Sequence, residues 1–116
     1  MFESHFIAMI CAVMFAGEAE VTHAYQVGYD LHRIRTDCET SETVIEVGRD
    51  VRSSLDSLQQ VLFAAEVTGK TPLLVIVDTD GRIGAYEHRI RVAAERVGVT
   101  FQLLHQKDII AAQLRS

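Results

Sequence analysis

The chain has no tryptophan, a single proline (Pro72) and only two cysteines in 116 residues, with no low-complexity tract and no internal repeat. Each shortage excludes something. Two cysteines are too few for the disulfide framework of a small secreted domain, so a reducing, cytoplasmic setting is the default expectation. Cys11 lies in an apolar run and Cys38 in a polar stretch read as a turn, and neither has metal-like spacing to a second ligand. The apolar run itself, Phe6 to Ala16, falls short of the ~20 residues that cross a bilayer. It lacks a basic n-region, since only Glu3 and His5 precede it, which argues against a secretory leader. No membrane association is expected. Basic side chains are outnumbered, 11 Lys and Arg against 16 Asp and Glu, for a net charge of −5. Such a molecule repels polyanions overall. A nucleic-acid partner would need a metal or a local basic patch, and Arg33, Arg35, Arg49 and Arg52 form the one plausible patch.

What is present is the balance of a globular domain, 48% hydrophobic and 23% charged, and residues 1–116 suffice for one core. Residues 2–16 read as a first helix that Gly17 stops. Because that helix is apolar on every side, it is expected to be buried all round, in part against a second copy in a homodimer. From Val21 the period changes to two, the mark of a half-buried strand. That long segment is either one strand bent at Gly28 or two strands broken there. Asp37 to Glu42 reads as a polar turn, and Val44 to Val47 as a short β-branched strand. A second helix carries Leu55, Leu58, Leu62 and Ala65, with Asp50 or Ser53 as its cap and Gly69 as its end. Leu73 to Val77 reads as a central strand buried on both faces. A third helix carries Ile83, Ile90, Ala93 or Ala94, and Val97. A strand over 99–104 and a helix over 107–114 complete the chain. This order predicts an α/β fold: an N-terminal helix, an antiparallel meander or hairpin, then β-α-β crossovers. The mixed sheet would have four or five strands and helices on both faces.

The residues that carry chemistry are sparse. Asp30 and Glu46 each sit on a predicted strand, and a hairpin would set them side by side. A hard divalent cation such as Mg²⁺ wants oxygen ligands, which Asp30, Glu46 and the backbone carbonyl of Val47 could supply. His32 shares the strand face of Asp30. This arrangement, Gly28-Tyr29-Asp30 followed by Ile45-Glu46-Val47-Gly48, resembles the PD-(D/E)xK, or restriction-endonuclease-like, nucleases. The core of that superfamily runs helix, three-stranded meander, helix, strand, and residues 2–78 follow the same order. The resemblance implies metal-dependent hydrolysis of nucleic-acid phosphodiesters by Asp30 and Glu46. Gln59 and Gln60 would stand where some relatives place a glutamine near the site, with Gln60 assigned to it. The motif lysine that orients or deprotonates water is missing, because position 48 is Gly. Arg49 has the wrong strand parity and is too weak a base. The resemblance therefore implies a nuclease scaffold impaired in catalysis.

Other patterns weigh less. Asp78-Thr79-Asp80-Gly81 ends a predicted parallel strand, where acids can bind metal, but Asp-Gly sequences suit tight turns and a turn is the expectation. Too few elements separate it from Glu46 for a Toprim domain. Gly69-Lys70-Thr71 leads from helix to strand, the reverse of a phosphate-binding loop, and reads as a helix stop. Residues 43–114 also resemble the STAS regulators, which implies a non-catalytic interaction module with Thr79 as the candidate regulatory hydroxyl.

Overall fold

The period-two sequence that begins at Glu18 folds back on itself at Gly28. In a computed structural model, which describes residues 4–51 and 55–115, β1 (Glu18–Val27) and β2 (Asp30–Glu39) are antiparallel, with Val27 opposite Asp30. Only Gly28 and Tyr29 lie between them, and Gly28 takes φ +61°, as a two-residue hairpin with glycine first requires. The segment is thus two strands. Asp37 to Glu39, expected in a turn, belong to β2, and the true turn is 40–42. There the Thr40 hydroxyl accepts the N–H of Thr43 at 3.1 Å.

The rest of the chain alternates as expected: β3 (Thr43–Arg49), α2 (Ser57–Thr68), β4 (Thr71–Asp78), α3 (Ala85–Arg96), β5 (Thr100–His105) and α4 (Gln106–Arg115). One sheet holds all five strands in the order β1-β2-β3-β4-β5. The first three form an antiparallel meander, and β3, β4 and β5 run parallel through the crossovers α2 and α3. The expected α/β class and the mixed sheet are therefore both present. Along β4 the side chains alternate between layers. Leu74 and Ile76 pack with Val61 of α2 and Ile90 and Ala94 of α3. Val75 and Val77 pack with Ile10, Cys11 and Ile109 on the other face. This two-sided burial explains the unbroken apolar run in β4.

The N-terminal segment is α1 (Ser4–Ile10) followed by a π-helical turn, Cys11–Phe15, which ends at Ala16 in the left-handed region. Ile10 and Cys11 are fully buried, and Phe6, Ile7, Met9, Met14 and Phe15 pack against the same core. The run is accounted for within one chain, so it no longer argues for a dimer. Among the described residues, no helix is long and apolar enough to cross a membrane.

Several expectations need correction. Cys11 and Cys38 are bonded to each other, with Cα atoms 5.5 Å apart, so the free-thiol argument for a cytoplasmic setting does not hold. The pairing was hidden because Cys38 lies in a strand that passes directly over the helical segment, and 27 positions of sequence separate the two. The start of α2 follows Asp56, not Asp50, and Ser53 and Arg52 lie outside the described residues. The buried stripe of α2 runs through Ser57, Val61 and Ala64, while Leu62 is exposed. With apolar residues on more than one side, the spacing alone left the direction of that face open. Ile83 and Val97 fall just outside α3 and are exposed. Gly69 ends α2 as expected, at φ +70° with its N–H donated to the Ala65 carbonyl at 2.9 Å.

Candidate functional site

The β2–β3 register decides which carboxylate meets Glu46. Cys38 pairs with Ile45 and Glu39 with Val44, so the next step along the strands sets Asp37 opposite Glu46. Asp30 lies seven residues back along β2, roughly 23 Å at ~3.3 Å per residue. It sits at the exposed end of the hairpin, opposite Val27. The structure does not bring Asp30 to Glu46; it brings Asp37. His32 is likewise out on the hairpin, where its ring stacks on Tyr25 at 5.4 Å.

Asp37 occupies a gap in the sheet. Past Cys38, β2 no longer forms a ladder with β3, and the Val47 N–H is donated to Asp37 Oδ2 at 2.9 Å instead. On the other flank Glu20 of β1 takes φ +56°, a backbone conformation that glutamate rarely adopts. Cys38 faces the N-terminal helix through its disulfide, whereas Asp37 lines the groove beneath α2. Glu46 points the same way, and Ile45 and Val47 point into the other core.

Above the pair lies a cavity of about 580 Å³ lined by Gln59, Gln60 and Phe63 of α2 and by Tyr25, Ile34 and Arg35 of the hairpin. The rings of Tyr25 and Phe63 meet edge to face at 4.9 Å and join the hairpin to the helix. Glu46 forms part of the floor and is only 6% exposed. Burial, together with the charge of Asp37 and a hydrogen bond to it, pushes the Glu46 carboxyl up to about 9. Glu46 therefore keeps its proton at neutral pH. Two facing carboxyls with no room to ionise together suit a hard cation, which would take the proton's place. Val47, expected to offer its carbonyl, directs its N–H toward Asp37. Gly48 shares the face of Glu46 and brings no functional group, and Arg49 alternates to the other face.

Asp37 is the residue that the sequence reading missed. Its signal was present: if the chain turns at Gly28, a turn at 40–42 puts positions 37 and 46 opposite one another. The neighbouring Glu39 has a different role. Its buried carboxylate takes Lys70 Nζ at 2.8 Å, Thr36 Oγ1 at 2.6 Å and a bond from His23. Burial opposes its ionisation, but these partners outweigh burial and hold Glu39 below the usual carboxylate range. Lys70 is thus a structural cation that also reaches the Thr40 carbonyl at 2.8 Å.

The Asp78 to Gly81 segment forms the expected turn, with Asp78 Oδ1 accepting the N–H groups of Asp80 and Gly81. The Thr79 hydroxyl is donated to Asp50 Oδ1 at 2.8 Å, so it is tied down in a carboxylate bond. No family model, curated protein or solved structure matches the chain.

Proposed function

We propose that the groove beneath α2 is a cation-dependent phosphodiester site of the restriction-endonuclease-like type, in a domain impaired in hydrolysis. The reading rests on two facing acids at the floor of an open groove, buried Glu46 and half-buried Asp37. The order of elements supports it: helix, three-stranded meander, helix, strand, with one acid on the second strand and one on the third. Asp37 takes the place first assigned to Asp30. Gln60, together with Gln59, reaches the same groove from α2 and can donate an amide to a phosphate oxygen. Arg35 and Tyr25 on the rim suit a phosphate and a base face. Bound between the two acids, Mg²⁺ would neutralise charge on a phosphate. With an overall charge of −5, such a cation would offset the repulsion of an approaching polyanion.

What the groove lacks is a base. Gly48 stands where a lysine would reach the attacking water, and general-base assistance is worth about 10²–10⁴-fold. The test is cleavage of single- and double-stranded DNA and RNA in Mg²⁺ or Mn²⁺ by wild type, Glu46→Gln and Gly48→Lys. Slow cleavage by wild type is expected, a rise of about 10² or more in Gly48→Lys, and loss in Glu46→Gln. The proposal fails if a folded Gly48→Lys chain shows no metal-dependent cleavage of any substrate.

A further inference from the structure

A second set of acids, separate from the groove, gathers at the carboxyl ends of the parallel strands. Asp50 follows β3, Asp78 ends β4, Asp80 lies in the turn beyond it, and Glu87 is in the first turn of α3. Each offers an oxygen within 4.8 Å of the others'. The backbone puts them there. β3 and β4 end level, with the Asp50 N–H donated to the Val77 carbonyl at 3.2 Å. Asp50 in turn accepts the Thr79 N–H at 2.9 Å and its hydroxyl at 2.8 Å. The Asp78 turn brings Asp80 round, and Glu87 Oε1 accepts the Gly84 N–H at 2.8 Å at the helix start.

Turn and cap geometry accounts for most of these oxygens. It does not account for Glu87 Oε2. Glu87 is 3% exposed, and its second oxygen is buried with no hydrogen-bond partner. A capping glutamate needs only one oxygen for its cap. A buried carboxylate oxygen with no donor is costly, and here it belongs to a side chain aimed into three other acids. Nothing in the capping role calls for that.

We propose that Asp50, Asp78, Asp80 and Glu87 form a binding site for a hard divalent cation of the Mg²⁺ or Ca²⁺ class. All four ligands are oxygens, which suits those ions and not the softer ones that favour sulfur or imidazole. His105, at the end of β5, donates Nδ1–H to Asp78 Oδ2 at 2.9 Å. It orients that carboxylate from outside the ligand set. The position is also where open α/β sheets bind ligands, outside the carboxyl ends of their strands. The site ties the ends of β3 and β4 to the start of α3.

The experiment is titration calorimetry of the full chain with MgCl₂ and with CaCl₂ at constant ionic strength. The variants are Glu87→Gln, Asp80→Asn and Glu46→Gln. Glu87→Gln keeps an oxygen for the Gly84 N–H, and Asp80 is exposed, so both variants should fold, which circular dichroism checks. Saturable binding is expected in wild type and in Glu46→Gln, weakened about tenfold or more in Glu87→Gln and in Asp80→Asn. Absence of saturable binding to either ion overturns the proposal, and so does equal binding in wild type, Glu87→Gln and Asp80→Asn. Binding lost only in Glu46→Gln also overturns it and leaves the groove reading standing.

Discussion

At the scale of single residues, Glu46 is the unusual group, because it keeps a proton at a pH where an exposed glutamate would not. Its carboxyl titrates near 9 in the folded chain and at about 4.3 when unfolded. Between those values the native state binds a proton that the unfolded state has lost, so stability falls as pH rises. The slope from this group is at most about 1.4 kcal/mol per pH unit, and it ends once pH passes the folded value. Glu46→Gln keeps a donor toward Asp37 and removes the titration. Urea unfolding at pH 5.5, 7 and 8.5 should show declining stability for wild type and a flatter profile for Glu46→Gln. Parallel profiles would mean that Glu46 is not the group that holds the proton. Glu39 works in the opposite sense. Its depressed value adds stability that is present above the unfolded value and lost as pH falls through the folded one.

At the scale of elements, what matters is where strands start and stop. The strand–helix alternation after Thr43 was legible, because a continuous apolar run and helical spacing are strong signals. The meander was half legible. Gly28 marked a break, but Val21 to Leu31 alternates so regularly that one strand fitted as well as two, and with Asp37 read into a turn, Asp30 was expected to face Glu46. The disulfide was not legible, since it depends on the N-terminal segment crossing β2. That crossing is close. A Cβ on Gly17 would stand 2.8 Å from Cys38 Sγ and 2.8 Å from the Glu39 carbonyl oxygen, with Cys11 Sγ at 3.2 Å. One of these contacts is backbone and another is held by the covalent bond, so neither can move aside cheaply. Gly17→Ala should therefore lower stability by about 1–3 kcal/mol in urea unfolding. A neutral result would show that the helical segment can lift from β2 without cost.

At the scale of the whole molecule, β3 connects two acidic places, Glu46 in the groove and Asp50 at the strand end. They are four residues apart, roughly 13 Å along the strand. If both take Mg²⁺, its effect on stability should separate by pH and by variant. Binding in the groove must displace the proton from Glu46, so below about 9 it strengthens as pH rises. The strand-end acids carry no such requirement at Asp78. Burial disfavours its charge, but His105 and the turn N–H groups outweigh burial and hold it below the usual range. A ligand at 100 times its Kd stabilises by about 2.7 kcal/mol, enough to resolve two contributions. Thermal unfolding of wild type with and without Mg²⁺ should show a gain in Tm that is larger at pH 8.5 than at pH 6. In Glu46→Gln the gain should persist but lose its rise with pH. In Glu87→Gln the rise should remain on a smaller total. A gain of one size at both pH values and across all three chains, Glu87→Gln included, would mean that Mg²⁺ acts by general screening of the −5 charge, with neither carboxylate group serving as a site.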